Sequence, residues 1–195
     1  FSLMARPSFV AVQQQFVLSM AGALAIKGVL DHITPDIRIK WPNDIYWCDR
    51  KISGTLIETS IARGEISRFV YGVGLNVNQT QFVSDAPNPI SLAQITGKQV
   101  PLMSLLKSIV EGFLAQLSLL EAGKSQLITA HYNAALYRAT GFHRYHDSMG
   151  AFEAELVGVD TNGIITLRDR LGQLRTYSQP YATNSNSTDK LRFEI

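Results

Sequence analysis

The alternation of apolar and polar positions divides the chain into two parts that predict different elements. Up to Gly141, period-two segments predict strands and segments with helical spacing predict helices. The predicted strands cover 1–6, 37–40, 45–47, 51–60 and 69–77, and the predicted helices cover 9–31, 91–97, 101–123 and 125–139. Ser8 is the expected N-cap of the first helix, and Pro35 is expected to stop it.

After Gly141 the pattern changes to short strands separated by turns. These strands are predicted over 151–159, 163–168, 174–178 and 191–195, with turns at 160–163 and 171–173. Such a series predicts a small antiparallel barrel. The segment 181–190 is rich in Asn, Ser and Thr, which predicts a loop within that barrel. We therefore expect two domains, 1–143 and 144–195.

Composition limits the classes of protein that fit this pattern. The chain has 195 residues, of which 46% are hydrophobic, so it can bury a sizeable core. Eighteen basic and sixteen acidic residues give a net charge of +2, which is too small to predict nucleic-acid binding. Polar residues interrupt the apolar stretches before the roughly 20 residues that cross a bilayer, so we expect no membrane span. The only cysteine, Cys48, excludes an intrachain disulfide and favours a reducing cytoplasm.

The most informative motif is Lys40-Trp41-Pro42-Asn43-Asp44, followed shortly by Lys51. Proline fixes φ, and Asn and Asp close local turns, so the motif concentrates charge where the backbone is rigid. It therefore predicts a site for an anionic substrate. The alternative is an ordinary hairpin turn in which Trp41 is a core residue and Lys51 an exposed strand residue. The composition of the motif alone leaves both open.

A second motif is Gly72-Val73-Gly74-Leu75-Asn76. It lacks the third glycine, the Lys-Ser/Thr pair and the following helix that phosphate-binding loops need. Alternate glycines clear one face of a strand, which suits either a flat apolar ligand or close packing of a helix. Asn76 can read a polar edge, since its amide both donates and accepts. His143 and His146 lack the partners of a metal site.

Four segments in order resemble the catalytic region of biotin protein ligases. They are Lys40–Asp44, Lys51–Glu58 (Lys-Ile-Ser-Gly-Thr-Leu-Ile-Glu), Gly72–Asn78 (Gly-Val-Gly-Leu-Asn-Val-Asn) and Pro87–Leu92 (Pro-Asn-Pro-Ile-Ser-Leu). The resemblance implies an α+β fold, with a class II aminoacyl-tRNA synthetase-like mixed sheet, helices on one side and a following SH3-like β-barrel. It also implies that the loop enclosing the adenylate lies before Phe1, so we expect an N-terminally truncated chain that is inactive alone.

The resemblance implies roles for individual residues. Lys51 aligns with the catalytic lysine that contacts biotin and the carboxyl-phosphate region, and Asp44 aligns with a second catalytic residue at the nucleotide end. Asp44 would hold Mg²⁺ or orient the acceptor amine. The implied biotin-binding residues are Lys51, Gly54, Thr55, Leu56, Gly72 and Gly74, and the implied nucleotide-binding residues are Asn76, Asp44, Lys40 and Asn43.

The resemblance also implies substrates and partners. ATP, Mg²⁺ and biotin would react to form biotinyl-5′-AMP, and biotin would pass to a lysine of a biotin carboxyl carrier protein in the cytoplasm. A homodimer is compatible with this reading. Two alternatives stay open: a lipoate ligase or octanoyltransferase of the same superfamily, and a non-catalytic biotin-responsive regulator.

Overall fold

The computed structural model describes residues 1–83, 88–178 and 191–194. These residues form two five-stranded sheets and four α-helices. The strands are β1 (Ser2–Ala5), β2 (Ile37–Lys40), β3 (Asp44–Trp47), β4 (Arg50–Ala62), β5 (Glu65–Leu75), β6 (Phe142–Asp147), β7 (Gly150–Val159), β8 (Ile165–Asp169), β9 (Leu174–Tyr177) and β10 (Arg192–Phe193). The helices are α1 (Phe16–Asp31), α2 (Leu92–Thr96), α3 (Leu102–Glu121) and α4 (Ser125–Ala134).

The first sheet has the order β1-β5-β4-β3-β2, and each of its strand pairs is antiparallel. The expectation of a mixed sheet is therefore corrected to an antiparallel one. Parallel pairing is confined, among the described residues, to isolated bridges joining Ile39 to Leu136 and Lys51 to Pro89. The reason is connectivity: short turns join β2, β3, β4 and β5 in succession, whereas parallel neighbours need a crossover of roughly a dozen residues.

The helices pack on one face of this sheet. Along β5 the side chains of Phe69, Tyr71 and Val73 are buried, while Gly72 and Gly74 alternate with them and point to the other face. Phe113 of α3 stacks on Tyr71, with ring centroids 5.8 Å apart. α1 comes so close that a Cβ added at Gly22 would lie 2.3 Å from Cζ of Tyr71. The core thus lies between the sheet and the helices.

Several predicted helix ends are confirmed. α1 ends at Asp31, and Ser91 caps α2 in a reciprocal capping box with Gln94. Gly97 closes the same helix in the left-handed conformation, with φ of 71°.

The predicted start of α1 and end of α4 are wrong. α1 begins at Phe16 rather than at residue 9, because the amides of Ser8 and Val10 bond to Arg6 and Pro7 in tight turns. α4 ends at Ala134 rather than at 139. The backbone beyond it pairs with β2 instead: the Ile39 amide donates to Ala135 over 2.9 Å. Long-range backbone pairing here overrides local helical spacing.

The second sheet has the order β10-β6-β7-β8-β9 and is antiparallel throughout. Its first strand, β6, was not predicted, because the apolar–polar alternation fails at both ends: Phe142 is exposed and Asp147 is buried. β6 begins at Phe142, whereas the domain boundary was predicted after residue 143. The loop predicted over 181–190 lies outside the described residues.

A polar network ties two turns of the second sheet together. Arg175 contacts both Asp147 and Asp169, and the Tyr177 hydroxyl donates to Asp147 over 2.7 Å. Burial would raise the pKa of Asp147, but hydrogen bonds from Tyr177 and the Met149 amide, with the Arg175 charge, lower it below 3.8. The network therefore favours an ionised Asp147 in the folded state.

α3 alone, within the described part of the chain, is long and apolar enough to cross a membrane by length and composition: it has 20 residues, and an 18-residue window within it has a mean hydropathy of 1.3. The prediction that no stretch of the chain could span a membrane is therefore wrong by length and composition. Only 17% of that stretch is buried: Leu105, Ile109, Phe113 and Leu120 of α3 lie in the core described above, and the rest of the helix is more exposed.

We predict opposite effects for alanine at two glycines of α1. Gly22→Ala should destabilise the fold by about 1–3 kcal/mol, because its methyl group would overlap the Tyr71 ring. Gly28→Ala is the matched control: nothing lies within 4 Å of its added Cβ, and alanine favours the helix by about 0.8–1 kcal/mol. Urea unfolding measures both, and equal effects of the two substitutions would contradict this packing.

We predict a stability change at acid pH from Asp147. Its lowered folded-state pKa stabilises the protein above the unfolded value, and this stabilisation is lost as pH falls through the folded value. Asp147→Asn should cost about 1–2 kcal/mol at pH 7 and less below pH 3.8. Urea unfolding across pH tests this, with exposed Glu65→Gln as control. A difference from wild type that stays constant down to pH 2 would refute the assignment.

Candidate functional site

A cleft of about 570 Å³ opens on the glycine face of the first sheet, away from the helices. Its lining residues are Phe1, Ser2, Pro42, Asn43, Asp44, Lys51, Gly54, Thr55, Leu56, Gly72, Val73 and Gly74. The two sequence motifs therefore meet in one place. Lys51 and Asp44 stand at one side, and the glycines of β4 and β5 form the floor.

The charged centre of this cleft is an ion pair. Nζ of Lys51 lies 2.6 Å from Oδ2 of Asp44. The β3–β4 hairpin brings them together, since Lys51 pairs with Tyr46 and a register shift follows at Ile45. The side chains are 28% and 27% exposed, so the pair is open to a ligand and only partly screened by water. Lys51 is therefore a partly exposed strand residue that is paired with Asp44, and its role stays a prediction.

The turn that presents Asp44 is fixed from three directions. Trp41 Nε1 donates to the carbonyl of Gly163, in the turn between β7 and β8 of the second sheet, over 3.0 Å, and the Tyr132 hydroxyl of α4 donates to the carbonyl of Pro42 over 2.7 Å. Thr55 Oγ1 of β4 donates to the carbonyl of Asn43 over 3.3 Å. Each of three consecutive residues is therefore bonded to a different element, which gives Asp44 a defined direction.

Gly54 and Gly74 at the cleft are each needed for a different structural reason. A Cβ at Gly54 would lie 3.0 Å from Nζ of Lys51 and 3.3 Å from Oδ1 of Asp44, so this glycine makes room for the ion pair. At Gly74 the nearest atom would be the Gly54 carbonyl oxygen, 3.8 Å away, so this glycine leaves space for a ligand. The close helix contact that the sequence left open falls on Gly22 instead.

Two predicted nucleotide-binding residues lie outside the cleft lining. Lys40 donates from Nζ to the Tyr46 hydroxyl over 3.2 Å, and Nζ lies 5.2 Å from the ring centre of Phe193. Burial lowers the pKa of Lys40, as do the nearby charges of Arg138 and Lys51, against the opposing effect of Asp44. Burial and the Asp44 charge also raise the pKa of Tyr46 to about 12, so its hydroxyl stays protonated.

Asn76 lies at the end of β5 with its amide held in place. Its Oδ1 accepts a hydrogen bond from Gln79 over 2.7 Å, and its Nδ2 donates to the carbonyl of Lys51 over 3.4 Å. The residue therefore adjoins the backbone of the ion-pair lysine without lining the cleft.

Sequence reasoning missed four lining residues: Phe1, Ser2, Pro42 and Val73. Ser2 reaches the cleft because β1 pairs with β5 and places Ser2 opposite Gly72. The alternation of the first segment predicted a strand, but the pairing partner that brings it to the glycines is a long-range choice that a local pattern does not reveal.

No group of three or more His, Cys, Asp or Glu side chains among the described residues is arranged to hold a metal ion. Asp44 contributes one carboxylate to the cleft. Mg²⁺ is commonly held by one or two carboxylates together with substrate phosphates, so the donor set fits a cation that enters with a nucleotide.

A second cleft, of about 600 Å³, lies between α1 and α3 and is more apolar. Its lining contains no Lys, Arg, Asp or Glu. Charged side chains line the sheet cleft, and they also line a third cleft of about 660 Å³ that contains Asp36, Arg38, Asp49 and Arg138. The sheet cleft is the candidate site because both sequence motifs meet in it.

Comparison with known proteins shows what the segment that carries this geometry is similar to. The model of the "Biotin/lipoate A/B protein ligase family" matches residues 3–76. The match covers 74 of the 195 residues, so it is a similarity of this segment alone. The segment contains α1, nearly all of the first sheet and every residue predicted for the site, from Lys40 to Asn76.

Individual relatives of the biotin/lipoate A/B protein ligase family agree. The chain is 25% identical over 183 residues to "Bifunctional ligase/repressor BirA" of Bacillus subtilis, covering 91% of this chain and 55% of that protein. It is 43% identical over 70 residues to "Biotin--protein ligase 2" of Arabidopsis thaliana, covering 34% of this chain and 21% of that protein. The chain thus spans about half the length of the Bacillus relative.

A solved structure shows the same fold. The biotin protein ligase of Aquifex aeolicus, solved "in complex with biotin and ATP", superimposes with a TM-score of 0.75 at 21% identity. The match covers 100% of this chain and 78% of that one. The α+β fold, both sheets included, is therefore that of a biotin protein ligase structure.

We predict that the ion pair contributes little to stability. In a double-mutant cycle of Lys51→Ala and Asp44→Asn, the coupling free energy should be about 0.5 kcal/mol and should fall with added salt, because both side chains are partly hydrated. Urea unfolding measures it. The exposed pair Lys107–Glu111 is the control, with less coupling. A coupling above about 3 kcal/mol would mean that the pair is structural.

Proposed function

We propose that the protein is an ATP-dependent biotin ligase. It forms biotinyl-5′-AMP and transfers biotin to a specific lysine of a biotin carboxyl carrier protein. The observation that carries this proposal is the Lys51–Asp44 pair, 2.6 Å apart beside a floor of glycines. The family model that matches residues 3–76 and the names of the relatives support biotin as the ligand.

The floor suits the apolar part of biotin. Gly54, Gly72 and Gly74 present backbone to the cleft, and Leu56 adds an apolar side chain that is 63% exposed. Thr55 turns its hydroxyl to the Asn43 carbonyl, so in our proposal it contributes backbone to the slot and holds the turn. A ring and an aliphatic chain can lie flat where no Cβ stands in the way.

Lys51 is the proposed catalytic cation. In the first step the biotin carboxylate attacks the α-phosphorus of ATP and pyrophosphate leaves. The Lys51 ammonium offsets negative charge that gathers at this junction. A unit-charge pair at 4 Å is worth roughly 4 kcal/mol at an effective dielectric of 20, so one placed lysine changes the rate by orders of magnitude.

Asp44 is the second proposed catalytic residue, at the nucleotide end of the cleft. It would help to hold Mg²⁺, which shields the phosphate charge when bound, or orient the acceptor amine. In the second step that amine attacks the carbonyl of the mixed anhydride and AMP leaves, a step that needs mainly positioning. Asn43 lines the cleft on the proposed nucleotide side. Lys40 and Asn76, the latter at the adenine edge, are proposed to contact the part of the nucleotide that extends beyond the lining.

The second sheet would complete the enzyme as a small SH3-like domain over 144–195, following a catalytic domain over 1–143. Its strand order, β10-β6-β7-β8-β9, supplies five antiparallel strands for such a barrel. We propose a cytoplasmic enzyme whose protein partner is the carrier domain of a biotin-dependent carboxylase.

We predict that Lys51→Ala abolishes labelling without loss of folding. The full-length protein, Mg-ATP, biotin and an apo carrier protein should give biotinylated lysine, detected by mass spectrometry. The variant should lose at least about a hundredfold in rate, the range seen when one transition-state donor is removed. Lys107→Ala is the control, because Lys107 is 78% exposed on α3.

Either of two experimental results would replace the proposed function with another. Preference for lipoate over biotin in adenylate formation would assign the other activity named in the family description. Biotin binding without any carrier labelling would indicate a regulator that does not catalyse transfer.

A further inference from the structure

We propose that Tyr132 is a positioning residue for the Asp44–Lys51 pair, acting from the helical layer through the carbonyl of Pro42. This inference rests on the proposed function, because it concerns the geometry of the same reacting centre. Tyr132 lies in α4, far along the chain from the motif, and does not line the cleft.

The surroundings of Tyr132 make it a fixed donor. Its side chain is 0% exposed, and its ring meets Phe16 edge to face at a centroid distance of 5.9 Å. Its hydroxyl donates to Pro42 over 2.7 Å. Burial raises the pKa of the hydroxyl well above its usual range, so it keeps its proton at any working pH.

The helix that carries Tyr132 is itself fixed to the second sheet. The neighbouring Asn133 donates from Nδ2 to the Val159 carbonyl over 2.9 Å and accepts from the Val159 amide over 2.7 Å. A Cβ at Gly158 would lie 3.2 Å from Oδ1 of Asn133, so this contact is close. The second sheet thus holds the turn twice, through α4 at Pro42 and directly at Trp41.

In this arrangement the contacts that align Asp44 with Lys51 differ from those that bind biotin. Tyr132 bonds to the turn two residues before Asp44, whereas the glycine floor belongs to β4 and β5 and is held by its own ladder. Loss of the hydroxyl frees the Pro42 carbonyl and lets Asp44 shift relative to Lys51. Such a shift lowers the rate of a bound substrate and leaves biotin binding to the floor.

The test compares Tyr132→Phe with Tyr177→Phe in the full-length protein. Both variants remove one buried hydroxyl bond of 2.7 Å, but the bond of Tyr177 goes to Asp147 in the second sheet, away from the cleft. Biotin-dependent exchange of pyrophosphate into ATP is measured. Tyr132→Phe should lose about tenfold in kcat with KM for biotin changed less than about twofold. Tyr177→Phe should keep both values.

A second readout does not depend on activity. The carboxyl ¹³C chemical shift of Asp44 should change in Tyr132→Phe and remain unchanged in Tyr177→Phe. Trp41→Phe, which removes the donor to Gly163, should repeat the kinetic pattern of Tyr132→Phe.

Equal kinetics for the two tyrosine variants, or a rise in KM for biotin alone, would overturn the role of Tyr132. Absence of exchange in the wild-type protein would instead overturn the proposed function. The two failures are therefore distinguishable before the variants are compared.

Discussion

The geometry of the cleft depends on how the turn from Trp41 to Asn43 is held. Its three residues bond to the second sheet, to α4 and to β4, so three separate elements determine where Asp44 points. Lys51 approaches from the neighbouring strand and meets Asp44 at 2.6 Å. Because these contacts come from distant parts of the fold, the packing of those parts fixes the relative orientation of the Asp44 and Lys51 charges.

The first sheet divides its two faces between packing and binding. Phe69, Tyr71 and Val73 point to the helices, where Gly22 allows α1 to lie close to the Tyr71 ring. Gly72 and Gly74 point to the other face, where these two positions carry no side chain and line the cleft. Period-two alternation in β5 therefore supplies a core and a ligand slot at once.

Short sequence segments were enough to predict several elements of this structure. The short helix predicted over 91–97 and the strands predicted over 45–47 and 51–60 are encoded by neighbouring residues, and the structure confirms these elements. What sequence reasoning missed depends on long-range pairing. The early end of α4, strand β6 and the approach of β1 to the glycines follow from backbone partners elsewhere in the chain. Tyr132 carries no local signal, since one buried tyrosine on a helix resembles any other core residue.

The central claim is that Lys51 and the glycine floor together recognise the junction of biotin and nucleotide. The most direct measurement is a crystal structure of the full-length protein with a non-hydrolysable biotinyl-adenylate analogue. The account predicts the biotin ring over Gly72 and Gly74 and the carboxyl-phosphate junction within hydrogen-bond reach of Lys51 Nζ. An analogue seated between α1 and α3, or one in the sheet cleft that leaves Lys51 bonded to Asp44 alone, would contradict it.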